Sequence, residues 1–228
     1  MRNVAGAVIA AAGLGSRLGM GMPKCMIEVN GRTILSRLIE TLSPHVPLVS
    51  VVVGYREDMV IEYCARHHPE VAIARNPDFR STNTAYSLFK GAQVINGKVL
   101  YLDGDIIISP ASLSQLIDRA SQEDVVIGVT EAKSRDPVFV NCREIKDTNM
   151  VTQFSRREES RHEWANVFVA PHDFLKGVNG YVYECLERFL PAPGAYLDLH
   201  EIDTAEDLDQ AKPFVVNLDL TRCQHQGV

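Results

Sequence analysis

Over its first 108 residues the chain alternates short apolar, β-branched runs with segments of helical period, and few architectures accept that alternation. "VAGAVIAAA" (4–12), "PLVSVVVGY" (47–55), "VAIARNP" (71–77) and "GKVLYLDGDIII" (97–108) read as strands. The first is apolar throughout, as in a strand buried on both faces. Between them "TILSRLIETLS" (33–43) carries Ile34, Leu35, Leu38, Ile39 and Leu42 on one helix face, and "MVIEYCARHH" (59–68) and "TAYSLFKGAQV" (84–94) read as further helices. Ser81, Thr82 or Asn83 can cap the last of these. Strand-helix-strand units at this spacing build a parallel sheet. Ligands of such sheets bind beyond the carboxyl ends of the strands, which sets the loop after the first strand, the 76–84 loop and Asp103 and Asp105 along one rim.

The second half is less regular. "DVVIGVTEA" (124–132) and "ANVFVAP" (165–171) read as strands, and "PVFVNCREI" (137–145) with "MVTQFSRRE" (150–158) as a hairpin around "KDTN". "YVYECLERFL" (181–190) and "TAEDLDQAK" (204–212) read as helices, Pro191, Pro193 and Gly194 as a loop, and the final "RCQHQGV" as a frayed tail. At 228 residues and 46% hydrophobic, the chain is expected to form one domain spanning 1–228.

Charge and cysteine usage narrow the partners. With 23 cationic and 29 acidic residues, a formal net charge of −6 and no block of like charge, no nucleic-acid footprint is visible. No apolar run approaches the ~20 residues of a transmembrane helix, so no membrane partner is expected. Cys25, Cys64, Cys142, Cys185 and Cys223 are odd in number and widely spaced, which suits free thiols in the cytoplasm better than a disulfide framework or a zinc site. Arg2 is the only cation before the apolar start and a polar glycine-rich loop follows it, so it does not read as a signal peptide. His67 and His68 are adjacent on a helix and point in different directions, which reads as a helix end rather than a metal pair. No heptad or exposed apolar stripe decides the oligomeric state, and a homodimer stays open.

The loop "AAAGLGSRLGMGMPKC" (10–25) decides the chemistry. A dinucleotide fingerprint needs a third glycine where Leu18 stands, and a P-loop needs a hydroxyl residue where Cys25 follows Lys24. What remains is G-x-G-x-R-x-G with a downstream Pro-Lys: Gly13, Gly15, Arg17, Gly19, Pro23 and Lys24. Glycines let backbone N–H groups approach phosphate oxygens, a guanidinium clamps an anion, and the proline stiffens the return so that the lysine is aimed. A mobile glycine-rich turn with incidental cations is the alternative.

At these residues, and in the "IEVNGRTIL" (27–35) that follows, the chain resembles the nucleotidyltransferases that make nucleotide-activated sugars and alcohols. The resemblance implies a three-layer α/β/α fold of Rossmann-like type, with a mixed, mostly parallel sheet. It implies that Ala11, Ala12, Gly13, Leu14, Gly15 and Ser16 line the nucleotide, that Gly13, Gly15 and Arg17 hold a triphosphate, and that Lys24, with Arg17, is catalytic. A second match, "YLDGDIII", implies Asp105 as a Mg²⁺ ligand; a solvated acidic turn is the competing reading. A third, "HEIDTAEDLDQA" (200–211), is similar to the ending of phosphocholine cytidylyltransferases and implies Asp203 as the second ligand, although Asp203-Thr204 also reads as a helix start. Asp103 and Glu201 stand in reserve. "NPDFRSTNTAYSL" (76–88) resembles the base-recognition region, with Asn76, Asn83 and Thr84 as nucleotide contacts; its Tyr-Ser-Leu after the asparagine tilts the reading to CTP, while Asn83 as a plain helix cap competes.

The implied reaction is attack by a small phosphate or phosphonate acceptor on the α-phosphorus of an NTP, releasing pyrophosphate, with no general base required. By the same resemblance, residues 133–170 form an acceptor-side insertion. Asp103, Tyr196, Asp198 and Glu201, with Trp164 of that insertion, are the candidate acceptor contacts, since a choline headgroup wants an aromatic face and carboxylates. Phosphocholine, aminoethylphosphonate and a sugar 1-phosphate all stay open. Two readings of other classes compete. A nucleotide-dependent oxidoreductase is disfavoured by the failed fingerprint, and a non-catalytic nucleotide-binding relative by the retained Arg17, Lys24, Asp105 and Asp203.

Overall fold

The computed structural model describes residues 4–13, 21–146 and 148–226. β1 (Val4–Ala11) is followed by a small hairpin of β2 (Glu28–Val29) and β3 (Arg32–Thr33) and then by α1 (Ile34–Leu42), whose first turn is closed by Thr33 Oγ1 accepting from Ser36 N at 3.0 Å. β4 (Val49–Val53), α2 (Glu57–His67), β5 (Ala72–Arg75) and α3 (Thr84–Ala92) come next. β6 (Lys98–Asp103) turns at Gly104 into β7 (Ile106–Ile108), and α4 (Pro110–Ala120) follows. The rest of the chain runs through β8 (Val126–Glu131), β9 (Phe139–Ile145), β10 (Thr148–Ser155), β11 (His162–Pro171), α5 (Val182–Leu186), β12 (Ala192–Tyr196), β13 (Leu199–Glu201) and α6 (Ala205–Gln226).

Nine strands form one sheet in the order β5-β4-β1-β6-β11-β8-β12-β10-β9. From β5 to β6 the neighbours are parallel, as the alternation of the first half requires; beyond β6 the sheet is mixed. β9 also pairs with β11 at Phe139 and Val140, so β11, β8, β12, β10 and β9 close into a ring at the far end. Side chains alternate across the sheet. Ala7, Ile9, Val51, Leu100 and Leu102 pack with α1, α2, α4 and α6, whereas Val8, Val52, Val99 and Tyr101 pack with α3 and α5. Two apolar cores therefore sandwich the sheet, which is the expected α/β/α layering.

Four expectations need correction. Residues 97–108 are two strands, because Gly104 breaks the run. Residues 110–120 form a helix that the sequence reading passed over, started by Pro110 at its first position and buried through Leu113 and Leu116. Pro193 and Gly194 belong to no open loop: they lie in β12, which Pro191 precedes and which runs between β8 and β10, and Pro193 stands where only β10 pairs, so the missing N–H costs the ladder little. The C-terminal end is helical through Gln226 despite Pro213. Leu208, Ala211, Phe214, Val215 and Leu218 form its apolar stripe, exposed Val216 and Leu220 blur that pattern, and ion pairs add to its hold. Asp219 takes Arg37 Nη1 at 2.8 Å and Nη2 at 3.0 Å and Asn30 Nδ2 at 2.7 Å, while Arg222 pairs with Glu40. No described helix is long and apolar enough to cross a membrane.

Candidate active site

The carboxyl ends of β1, β4 and β6 open onto one rim. β1 delivers Ala11 and Ala12, both buried, and Gly13, whose α-carbon faces open space. Leu14, Gly15, Ser16 and Arg17 lie outside the described residues. The chain is described again from Gly21, whose carbonyl accepts from Arg56 Nη1 at 2.9 Å. Pro23 then starts a single tight turn, with Met26 N donating to Pro23 O at 2.9 Å. Burial of Cys25 and Ile27 in the core fixes that turn, so the Lys24 side chain is aimed back over the rim.

Lys24 meets two carboxylates from distant parts of the chain. Its Nζ donates to Asp105 Oδ2 at 2.8 Å and to Asp203 Oδ1. Asp105 is there because of Gly104. Its N donates to Ala10 O at 2.9 Å, and a Cβ on it would stand 2.7 Å from that same oxygen, so only glycine lets β6 turn over the end of β1. Asp203 is there because β13 pairs antiparallel with β7, Glu201 opposite Ile106, and Ile202 N donates to Asp105 O at 2.8 Å. The α6 start follows at once, with Thr204 Oγ1 and the Asp207 carboxylate bonding each other's backbone N–H groups. Thr204 thus serves the cap and leaves Asp203 to face Lys24.

One carboxylate oxygen each from Asp105, Glu201 and Asp203 lies within 4.8 Å of the others, and Asp103 is next to them. Burial, then the charges of Asp105 and Asp203, pushes the Asp103 carboxyl well above the usual range. Burial, then Asp105, Asp103 and Asp203, does the same to Glu201. Burial opposes the charge of Lys24, but Asp105 and Asp203 outweigh it and hold the ammonium above the usual lysine range. The cluster therefore carries more carboxylate than one ammonium neutralises, and its donors are all oxygens. That donor set fits a hard divalent cation.

A cavity of about 740 Å³ spreads from this cluster in two directions. Toward β1 and α3 it is lined by Ala12, Gly13, Phe79, Thr82, Asn83, Thr84 and Ser87. Asn76 is not in the lining. It is fully buried, its Nδ2 donates at 2.9 Å to both Thr82 Oγ1 and Ser87 Oγ, and its Oδ1 accepts from Asp78 N, so it shapes this wall from behind. Asn83 is in the lining and is also the α3 cap, with Oδ1 accepting from Tyr86 N at 3.0 Å while Nδ2 donates to Gly180 O at 2.7 Å.

Toward the ring of strands the cavity is lined by Lys133, Arg135, Asp136, Arg156, Glu163, Trp164, Asn166, Tyr181 and Tyr183. Trp164 stands edge-on to Tyr183, Tyr183 stacks on Tyr181, and the Arg156 guanidinium lies 5.4 and 5.6 Å from the two tyrosine centroids while pairing with Asp136 at 2.9 Å. Glu163 is buried and accepts from the backbone of Lys133 and Ser134 and from the Ser134 hydroxyl. Tyr196 and Asp198 are not brought to the cavity. Tyr196 is half exposed and stands edge-on to His162, and the Asp198 backbone joins β12 to α4 through Ser109 and Ser112.

Sequence reasoning missed Glu163, Asn166, Tyr181 and Tyr183. Asn166 has a readable signal: an asparagine inside a strand, which here sits at φ 54° in a bulge where β11 shifts register against β8. The tyrosines read as ordinary helix residues. His67 ends α2, and His68 beyond it is buried with Nε2 2.5 Å from Ser36 Oγ.

Comparison with known proteins agrees with this arrangement. Residues 7–173 match the MobA-like NTP transferase domain. The bifunctional protein GlmU of Methanococcus maripaludis is 30% identical over 196 residues, 85% of this chain and 44% of that protein. The CMP-5'-(3-aminopropyl)phosphonate synthase of Streptomyces rubellomurinus is 35% identical over 116 residues, 48% of this chain and 18% of that protein. The chain spans less than half the length of these curated relatives. The solved CTP:phosphocholine cytidylyltransferase of Streptococcus pneumoniae superposes with a TM-score of 0.72 at 17% identity, over 93% of this chain and 99% of that one, which shows a shared fold.

Proposed function

The chain belongs to the MobA-like NTP transferase family, and on that scaffold we propose that it transfers CMP from CTP to a small phosphate or phosphonate acceptor with release of pyrophosphate. The observation that carries this reading is the meeting of Lys24 with Asp105 and Asp203, residues 81 and 179 positions away, at the mouth of the loop after β1. Gly13, Gly15 and Arg17 take the triphosphate, with Ala11, Ala12, Leu14 and Ser16 around it. Phe79, Thr82, Asn83 and Thr84 form the wall for the base.

Asp105 and Asp203, with Glu201 beside them, would hold Mg²⁺, which when bound offsets triphosphate charge and polarises the α-phosphate. The acceptor's anionic oxygen attacks the α-phosphorus in line. The new P–O bond forms as the bond to the bridging oxygen of the β-phosphate breaks, and pyrophosphate leaves with that electron pair. The attacking oxygen is already ionised near neutral pH, so the chain supplies position and charge rather than a base. Lys24 donates to the α-phosphate oxygens as negative charge gathers there, and Arg17 clamps the outer phosphates. The wall of Trp164, Tyr181 and Tyr183 receives the acceptor. Free thiols at Cys25, Cys64, Cys142 and Cys185 support a reducing compartment such as the cytoplasm.

Two matches tilt the base and acceptor: the Asn-Thr-Ala-Tyr-Ser-Leu stretch at 83–88, and similarity to proteins named for CMP transfer to a phosphonate and for CTP and phosphocholine. The test is pyrophosphate release from each of CTP, UTP, GTP, ATP and dTTP, with and without Mg²⁺, against phosphocholine, 2-aminoethylphosphonate and glucose 1-phosphate. CTP with one of the first two acceptors is the expected active pair. Activity with glucose 1-phosphate alone would replace the acceptor assignment, and no release from any pair would point to a non-catalytic nucleotide binder.

A further inference from the structure

We infer that Lys24 is a built-in counter-ion of the carboxylate site: in the nucleotide-free protein its ammonium fills the place of the divalent cation, and the triphosphate must draw it away before the metal can settle. The inference rests on the reading of Asp105 and Asp203 as metal ligands.

Three observations carry it. First, the contested carboxylates are the same: Asp105 and Asp203, which hold Lys24, belong with Glu201 to the cluster whose oxygens lie within 4.8 Å of one another. Lys24 Nζ lies 2.8 Å from Asp105 Oδ2 and bonds Asp203 Oδ1, between the two carboxylates that would hold the divalent cation. An ammonium and a dication cannot occupy one gap together; at roughly 4 Å their repulsion alone is substantial outside bulk water. Second, the lysine is anchored at its backbone, and only its side chain, which the two carboxylates hold at the tip, has rotatable bonds to move it. Buried Cys25 pins the turn, so exchange of cations must come from the four-carbon side chain. Third, that side chain has somewhere to go. A hollow of about 100 Å³ lies against Lys24, bounded by Ala10, Ala11, Gly13, Cys25, Gly104 and Asp105. The hollow reaches Gly13, which is assigned to the triphosphate, so a swing of the side chain exchanges carboxylate partners for phosphate oxygens without moving the backbone.

Metal and nucleotide are thereby coupled. The triphosphate gives Lys24 a new partner and vacates the cation's place, and by linkage the cation strengthens nucleotide binding to the same degree. Without nucleotide, the lysine competes with the metal and offsets part of the repulsion within the cluster.

The test is Mn²⁺ binding to the nucleotide-free protein, read from the loss of the free-ion EPR signal, for the wild type, Lys24→Met and Lys24→Gln. Thermal melts run alongside, and two variants guard against one failing to fold. Removal of the competing ammonium is expected to tighten Mn²⁺ by about tenfold or more, within the usual range of inter-site coupling, and Asp105→Asn in the Lys24→Met background is expected to abolish the gain. Equal or weaker Mn²⁺ binding in both folded lysine variants overturns the inference. So does the absence of Mn²⁺ binding in every protein. Mg²⁺-dependent pyrophosphate release by the wild type, measured in parallel, separates these failures: if it persists, the transferase reading survives the loss of the counter-ion role.

Discussion

Replacing Gly104 with alanine probes how closely the fold and the site are joined. A Cβ at this position would stand 2.7 Å from Ala10 O and 3.3 Å from both Ala10 C and Ala11 Cα, all backbone atoms of β1 that no side-chain rotation can clear. Relief to an ordinary van der Waals distance of about 3.4 Å requires a separation of some 0.7 Å, borne by the turn between β6 and β7 and by the bond from Gly104 N to Ala10 O. Overpacking of this kind costs about 1–3 kcal/mol. For a chain of this length that is a fall in Tm of about 2–4 °C per kcal/mol. The same displacement carries Asp105 away from Lys24, and misplacement approaching 1 Å in a catalytic constellation costs up to about 100-fold in rate. Gly104→Ala is therefore expected to lose several degrees of Tm in a thermal melt and at least about tenfold in kcat, measured well below its melting point. Gly13→Ala is the control for stability: among the described residues nothing lies within 4 Å of a Cβ there, so its Tm should equal the wild type's. A Gly104→Ala protein with wild-type Tm and turnover would refute the claim that this glycine positions the acidic rim.

Asn83 does two things, capping α3 and tying it to Gly180, so Asn83→Ser, which retains the cap, is expected to lose about 1 kcal/mol and Asn83→Ala about twice that in urea melts. Equal losses would assign the whole effect to one bond. Asp219→Ala leaves the nearly buried Arg37 guanidinium without its carboxylate and is expected to cost about 2–3 kcal/mol, discounted from a fully buried pair because Asp219 is partly exposed. The hydrogen bond from Arg37 outweighs burial and holds the Asp219 carboxyl below the usual carboxylate range. Its stabilisation is thus present in full above the unfolded value of about 4 and disappears as pH falls through the lower folded value, so acid melts of Asp219→Ala should show a flatter dependence below about pH 4 than the wild type. An unchanged acid limb would dismiss this ion pair as the anchor of the C-terminal helix.

Much of the first half is legible because its periods are unambiguous: the strands around β1 and the face of α1 come straight from β-branched runs and an i, i+3, i+4 pattern. Lys24, Asp105 and Asp203 are legible one at a time, each from local chemistry of glycine, proline or a helix start. Their contact is another matter, because it depends on β7 and β13, two strands of three residues whose pairing has no local signature. Glu201 could be ranked only as a reserve for the same reason. α6 is under-read because exposed Val216 and Leu220 blur its apolar stripe, and ion pairs to Arg37 and Glu40 reinforce its second half. Asn76 and Asn83 show the limit of residue type as a guide. The first is consumed by a buried network, while the second combines a cap and a tether with a place in the cavity lining, uses that residue type alone does not separate.

The central claim is that Lys24, Asp105 and Asp203 form the reacting end of a nucleotidyl-transfer site. Its most direct measurement is the rate of Mg²⁺-dependent pyrophosphate release from CTP, with phosphocholine or 2-aminoethylphosphonate as acceptor, in the wild type and in Lys24→Ala. Loss of a charge-stabilising donor in a preorganised site costs about 100- to 1,000-fold. The variant should therefore fall by at least that factor while keeping a cooperative melt. Turnover near the wild-type rate in a folded Lys24→Ala protein would contradict the account.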